Sequence, residues 1–543
     1  MAVELVIRSK NVFTDRTNKT QALAIGITQG IITAVLPYER ADELCDFQTQ
    51  LIDYGDKFVC PGFHDAHQHV LHSALFPSAL ADQYVGTSEA DEVAHLINFA
   101  KTLPDTQDWV LTHGWRQSLW IDPTAAPTCH SLDAAFPNRP VALYSGDAHT
   151  LWLNSCGMTE LGITDATQPP AGGSFDRDAN SHLTGVLREA AGMAYVARLV
   201  GMLPDEALMQ VYRSYFHRLS SMGITSVCDM ALSLIPGADS IRPDIYQQLL
   251  NADELTLRAH LFPTLTEDES NLEIMQAELT GNMLQAPGFK QFFDGVSSAH
   301  TAWCSKPYTN AYFTGDVGRP TVAPERMRSL VLSAASHGHA VRIHTIGDQA
   351  AHEALNIFEE ATRLYGQPKQ GAHTLEHIED IQSTDIDRLA KTHVIASVQP
   401  PHAVIDLSQP DRDLGSERAA RMWPFEAFLQ TGATLAFGTD SPVVPPTSQD
   451  VLYCAITRQM PQSHLPKGGW HPEHCISRAD ALRAYTYGSA ATVGRTHELG
   501  LLAPGMLADL AVWDTNFLTC ESEEIQQAHC LATYLGGKQI FSA

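Results

Sequence analysis

Lys57-Phe58-Val59-Cys60-Pro61-Gly62-Phe63-His64-Asp65-Ala66-His67-Gln68-His69 is the stretch whose reading decides the fold. A short apolar run ends at a Pro-Gly break, and two histidines follow two residues apart. In extended backbone successive side chains alternate faces, so His67 and His69 project the same way. Two neutral imidazoles converging on one point begin a transition-metal site. In a chain with 25 histidines, one His-x-His pair on a surface loop is an ordinary coincidence. Its weight comes from what the remaining sequence places beside it.

The chain has 543 residues, enough for a large core with accessory domains. With 44% hydrophobic and 18% charged residues it has the composition of a globular enzyme and not of a disordered chain. Sixty-two acidic against 35 basic residues leave a formal charge of −27, a field that repels nucleic acid and anionic membrane. The N-terminus lacks the pattern of a signal peptide, and no apolar segment is long enough to cross a bilayer. The ten cysteines are scattered with no C-x-x-C pair, the pattern of reduced thiols in a cytoplasm.

Outward from the opening stretch, short strands are expected at 3–7, 22–27 and 31–35, and again near 508–514 and 532–541. Residues 1–57 and 500–543 are therefore expected to form one small β-sandwich from both termini. Between them, over 58–499, apolar strands alternate with amphipathic helices, the pattern of a βα barrel. After the strand near 58–64 comes a long excursion over about 70–203, rich in Pro, Gly and Trp, which reads as a subdomain inserted over the barrel mouth. Further strands are expected at 224–229, 257–265, 289–294, 340–346, 373–377, 394–398 and 434–439. Helices between them include 205–222, 324–337, 348–365 and 416–431. Eight strands make an α/β fold with a closed (β/α)8 TIM barrel.

In such a barrel the chemistry sits at the C-terminal strand ends. His67 and His69 fall there, as do His344, His377 and Asp440, while Lys290 lies inside an aromatic strand. Each has an ordinary alternative: a hydrogen-bonded core histidine, a helix N-cap for Asp440, a solvent-reaching stem for Lys290. Four histidines and an aspartate at strand ends would otherwise be separate buried polar groups, each needing a partner. A shared metal satisfies them together.

On these residues the chain resembles the amidohydrolase superfamily, in the branch that includes N-substituted formamide deformylases. The matching motifs are Pro-Gly-Phe-His-Asp-Ala-His-Gln-His, Phe-Lys-Gln-Phe-Phe-Asp-Gly, Ile-His-Thr-Ile-Gly-Asp-Gln-Ala, Leu-Glu-His-Ile-Glu and Gly-Thr-Asp-Ser-Pro-Val. Gly146-Asp147-Ala148-His149, Ser397-Val398-Gln399-Pro400 and the closing Ala503-Pro504-Gly505-Met506-Leu507-Ala508-Asp509-Leu510 extend the likeness nearly end to end. The resemblance implies two divalent metals, zinc by preference. His67, His69 and Asp440 would hold one and His344 and His377 the other, with a carboxylated Lys290 bridging them. It departs at His64, a position usually apolar in the family, which reads either as a group behind the ligands or as a simple substitution.

The implied reaction is hydrolysis of a non-peptide C–N bond, amide or formamide, in a small, apolar-substituted substrate. Asp440 is expected as the catalytic group, general base and then acid. Trp115, His149, Asp294, Thr301, Gln399 and His402 are the expected substrate contacts. Other readings of the same scaffold are a mononuclear hydrolase, a deaminase, an esterase, or a non-catalytic regulatory protein whose mark would be missing ligands. A small-molecule partner and pairing into a homodimer complete the expectations.

Overall fold

The computed structural model describes residues 3–14, 16–78, 80–103, 108–122, 124–146, 149–170, 172–232 and 239–543. Asp147 and Ala148 of the Gly-Asp-Ala-His motif lie outside them.

The terminal strands form one eight-stranded sheet. Leu5–Val12 pairs along one edge with Gln21–Thr28, and along the other with Gln50–Asp53 and then Phe58–Pro61. Phe58–Pro61 in turn pairs antiparallel with Leu510–Trp513, which joins the two ends of the chain. Alternate residues of these strands, among them Ile7, Ile25, Val59, Val512 and Tyr534, meet in one apolar core.

This pairing corrects the start of the first parallel strand. Residues 58–61 belong to the terminal sheet, and the parallel strand is Phe63–Gln68. Pro61 offers no N–H, and the Gly62 N–H goes to the Asp509 carbonyl while the Phe63 N–H turns to Gly223. A Cβ on Gly62 would lie 2.2 Å from Thr225 Oγ1, so only glycine lets the chain change sheets here.

Residues 81–189 contribute a separate six-stranded sheet, running from Ala81–Gln83 at one edge to Gly173–Arg177 at the other. Trp115, Trp120 and Trp152 pack against one another behind it, with ring centroids 5.9–6.4 Å apart.

The remaining strands are parallel and lie in two sheets. One contains Phe63–Gln68, Ile224–Met230, Arg258–Phe262 and the short Leu284–Gln285. The other contains Gly288–Phe292, Ala340–Thr345, Thr374–His377, Ile395–Val398 and Leu435–Phe437. Strands such as Ile224–Met230 are buried at every position, as parallel strands covered on both faces must be. Helices Asp205–Ser220, Pro324–His337 and Asp348–Tyr365 stand where periodicity places them. The helix expected over 416–431 is two pieces, Ser416–Ala419 and Phe425–Gln430, because Pro424 can begin a helix but not continue one.

Two single bridges link the edges of the parallel sheets, Thr264 with Lys290 and Gln68 with Ser441. At the first, Lys290 N donates to Pro263 O and Leu265 N to Lys290 O, at 2.9 and 2.8 Å. At the second, Asp440 N donates to His67 O at 2.7 Å and His69 N to Ser441 O at 2.9 Å.

All ten cysteines are free. Among the described residues no helix is long and apolar enough to cross a membrane.

Arg258, buried at the start of its strand, donates to both oxygens of Asp509, at 2.6 and 2.9 Å. Asp509 also accepts from Gly536 N, so one carboxylate ties the terminal sheet to the parallel strands. Asp509→Ala leaves a buried guanidinium unpaired and is expected to cost about 3–5 kcal/mol. Equilibrium urea unfolding of the variant measures the loss.

Candidate metal centre

The second seam brings the ends of the first and last parallel strands together. Asp65 accepts from Thr439 N and Oγ1, at 3.0 and 2.7 Å, and from Gln68 Nε2 and His67 N on its own strand. Gly438 permits the approach: a Cβ there would stand 2.6 Å from His67 N. Asp440 follows with φ at +58°, a left-handed conformation that turns its side chain back over the strand ends. His377 (φ +71°) and Ile378 (φ +46°) are in the same region. Such backbone costs roughly 1–3 kcal/mol per residue and concentrates at functional sites.

His67 and His69 point at Asp440 as their spacing implies. His67 Nε2 lies 3.4 Å and His69 Nε2 3.2 Å from Asp440 Oδ1. The other nitrogen of each ring is occupied. His67 Nδ1 donates to Glu376 Oε2 at 2.7 Å, and His69 Nδ1 donates to the Met230 carbonyl at 2.9 Å. His67 Nε2 therefore presents a lone pair to a carboxylate oxygen, and it and Asp440 Oδ1 are buried without any hydrogen bond. Burial, with Lys290 nearby, lowers His67 to about 4, so it is neutral. Burial opposes the Asp440 charge; positive charge on the His67, His69 and His377 side, a proton or another cation, is what holds its carboxyl well below the usual range. An imidazole lone pair and an anionic oxygen 3.4 Å apart repel one another unless a cation lies between them. The donor set suits a divalent metal such as zinc.

Behind His67 runs a second layer that motif reading did not bring out. Glu376 is fully buried, bonded on one oxygen to His67 and on the other to the Arg342 guanidinium. Arg342 also donates to the Ala66 carbonyl and to Ser397, and lies 4.8 Å over the Phe262 ring. Burial disfavours the Glu376 charge, yet Arg342 and His67 prevail and keep it ionised. The signal in the sequence is a Glu immediately before a strand-end histidine and an Arg two residues before another.

Of the other expected ligands, His377 lies within reach of the same carboxylate, its Nδ1 3.9 Å from Asp440 Oδ2. Its ring stands 4.9 Å from His67 and 4.4 Å from His344. His344 Nε2 donates to the Gly295 carbonyl at 3.2 Å, which leaves its Nδ1 as the free lone pair. Lys290 Nζ is buried with no hydrogen-bond partner, 4.7 Å over the Phe292 ring, and burial lowers it to about 8.

The centre opens into a cavity of about 910 Å3. Trp115 and His149 from the inserted sheet and His402 line it. Asp294, Thr301 and Gln399 are not among its lining residues. Asp294 instead accepts from the N–H groups of Trp303, Ile346 and Gly347, and burial raises it to about 7 despite those bonds. Thr301 Oγ1 closes a turn on Val296, and Gln399 Oε1 holds His377 Nδ1 at 2.8 Å. These three hold the cavity frame and the ligands. The cavity also includes Glu379, which closes the Leu-Glu-His-Ile-Glu motif, and Arg116, Tyr312 and Arg412, none of which a strand-end motif identifies. His64 lies outside this group. It stacks on His260 at 5.0 Å with Cys228 Sγ 3.5 Å from its Nε2, and burial beside Arg495 and Arg342 lowers it to about 3.

Glu376→Gln keeps the shape of the side chain but removes the charge that orients His67. It is expected to weaken divalent-metal binding about 10–100-fold. Competition titration against a chromophoric chelator measures this; an unchanged affinity would show that His67 needs no anionic partner.

A family model described as the amidohydrolase family matches residues 50–541. The protein LONG AFTER FAR-RED 3 of Arabidopsis thaliana is 27% identical, over 100% of this chain and 92% of its own length. An N-substituted formamide deformylase of Arthrobacter pascens is 24% identical, over 98% of this chain and 97% of its own. The solved structure of an uncharacterized metal-dependent hydrolase from Pyrococcus horikoshii OT3 shares the fold, with a TM-score of 0.77 at 23% identity, covering 95% of this chain and 99% of that one. With the site and the match over most of its length in agreement, the chain belongs to the amidohydrolase family.

Proposed function

We propose that this chain is a metal-dependent hydrolase that cleaves the amide or formamide C–N bond of a small, apolar-substituted molecule. The carrying observation is the convergence of His67 Nε2, His69 Nε2 and Asp440 Oδ1, with His67 Nε2 and Asp440 Oδ1 buried and without a hydrogen bond. In this reading the two parallel sheets are one (β/α)8 ring over about 58–499, its seams at Lys290 and Asp440. The segment near 70–203 covers the mouth, and the two termini pack as a small β-sandwich.

His67, His69 and Asp440 hold one metal, and His344 and His377 serve a second. Lys290 lies beside them: its lowered pKa makes the free amine available, and a free amine adds carbon dioxide, with release of one proton, to become an anionic oxygen ligand. When bound, a divalent metal such as zinc lowers the pKa of a coordinated water to about 7 and polarises a carbonyl oxygen. Asp440, ionised and facing the ligands, accepts the proton of the attacking water and passes it to the departing nitrogen. Glu376 and Arg342 hold His67 in the tautomer that presents Nε2. Leu232, Phe292, Ile346 and Trp423 give the cavity an apolar wall, which suits an apolar substituent. The activity named for the Arthrobacter pascens relative supports the choice of amides and formamides.

Zinc-loaded protein assayed on a panel of N-formyl and N-acyl amines tests this. Turnover is expected on some member, a chelator should abolish it, and Asp440→Asn should lower it by about 100- to 10,000-fold. Equal rates for variant and parent would remove Asp440 from the reaction.

A further inference from the structure

Among the described residues, Arg116, Arg188 and Arg412 are the arginines that line the cavity. Two of them are paired. Arg188 Nε and Nη2 hold the Asp176 carboxylate at 2.7–3.0 Å, and Arg412 Nε holds Asp413 at 2.8 Å. Arg116 makes one hydrogen bond, from Nη2 to the Gly146 carbonyl at 3.0 Å, and no ion pair with a described carboxylate. The carboxylates of the cavity itself are engaged elsewhere. Asp406 accepts from Ser408 and Gln409, Glu379 faces His402 Nδ1 at 3.9 Å, and Asp440 faces His67 and His69.

Arg116 follows the strand Val110–Trp115, and Gly146 follows its parallel neighbour Val141–Ser145. Gly146 N donates to Trp115 O at 3.0 Å, which fixes the two strand ends side by side. Gly146 is not among the glycines with positive φ, so its backbone does not by itself require glycine. What a side chain lacks there is space: a Cβ would stand 2.4 Å from Arg116 Nε and 2.8 Å from its Cζ. The glycine therefore seats a guanidinium at the cavity wall. A guanidinium has five N–H donors in a planar fork, and most of this fork is left for a carboxylate, which it meets two bonds at a time. The formal charge of −27 repels anions at long range, so an anionic group entering the cavity needs a local cation, and Arg116 is one.

We propose that Arg116 is a carboxylate-binding residue, and that the substrate is an amide carrying a carboxylate besides its apolar part. The carboxylate pairs with Arg116, the apolar part takes the wall that includes Leu232 and Phe292, and the amide is left for the metal centre. This inference rests on the hydrolase reading above and narrows it, by adding a charged group of stated chemistry and the residue that selects it.

A matched pair of amides tests it on the zinc-loaded full chain: N-formylphenylalanine, as both enantiomers, and N-formyl-2-phenylethylamine, which lacks only the carboxylate. The parent is expected to favour one enantiomer of the acid over the neutral amide by roughly 10- to 100-fold in kcat/KM. Arg116→Met should bring that ratio near one, and Arg116→Lys, which keeps the charge but not the fork, should retain part of it. Circular dichroism of both variants controls for folding. Calorimetry with 3-phenylpropionate and 3-phenylpropanamide reads the same preference without turnover. No preference for the acid in the parent would overturn the subsite. So would a preference that survives Arg116→Met in a folded variant, since the carboxylate would then sit elsewhere, on the metal for example. Turnover of neither amide, with 3-phenylpropionate bound more tightly than its amide only while Arg116 is present, would sustain the subsite and count against the hydrolase reading. Binding of neither calorimetric ligand and turnover of neither amide would overturn the subsite.

Discussion

The seam between Phe63–Gln68 and the segment after Leu435–Phe437 is the constraint on which the site depends. Asp440 N on His67 O and His69 N on Ser441 O place residues nearly four hundred positions apart in register. Asp65 doubles that register with side-chain bonds to Thr439. A slip of one residue would send His67 and His69 to the opposite faces of the strand. Register at this one junction therefore decides whether the donors meet. Gly438 is part of the same constraint, since any side chain there would push the last strand away from His67.

Electrostatics then work on what the backbone has placed. Fully buried polar groups are costly unless paired, and Glu376, Arg342 and His67 satisfy one another in a chain of bonds. Left over are His67 Nε2, Asp440 Oδ1, Lys290 Nζ and His402 Nε2, all buried without a hydrogen bond. Stability elsewhere in the fold sustains this concentration of unmet polar atoms and left-handed backbone. The same division of labour explains Asp294: three backbone N–H groups occupy it, so it holds the loops that frame the cavity, with its Oδ1 3.8 Å from His344 Nε2.

Much of this was legible before the structure. The parallel strands read as apolar runs bounded by turns, and His67, His69, His377 and Asp440 gather because strand ends gather. Other features have no local signature. The change of sheet at Pro61-Gly62 lies inside a run of uniform hydrophobicity, and only the partner strand Leu510–Trp513, far along the chain, reveals it. Thr301 and Gln399 carry side chains equally suited to a substrate or to the frame; Thr301 closes its own turn and Gln399 holds the His377 ring. His402 sits after two prolines in a turn without periodicity, so its approach to Asp440 depends on tertiary placement alone.

Anomalous diffraction from crystals of the zinc-loaded protein, recorded at the zinc edge, tests the central claim most directly. A peak is expected at coordinating distance from His67 Nε2, His69 Nε2 and Asp440 Oδ1 together. No peak there, or one only at the buried His64, Cys228 and His260 group, would contradict it.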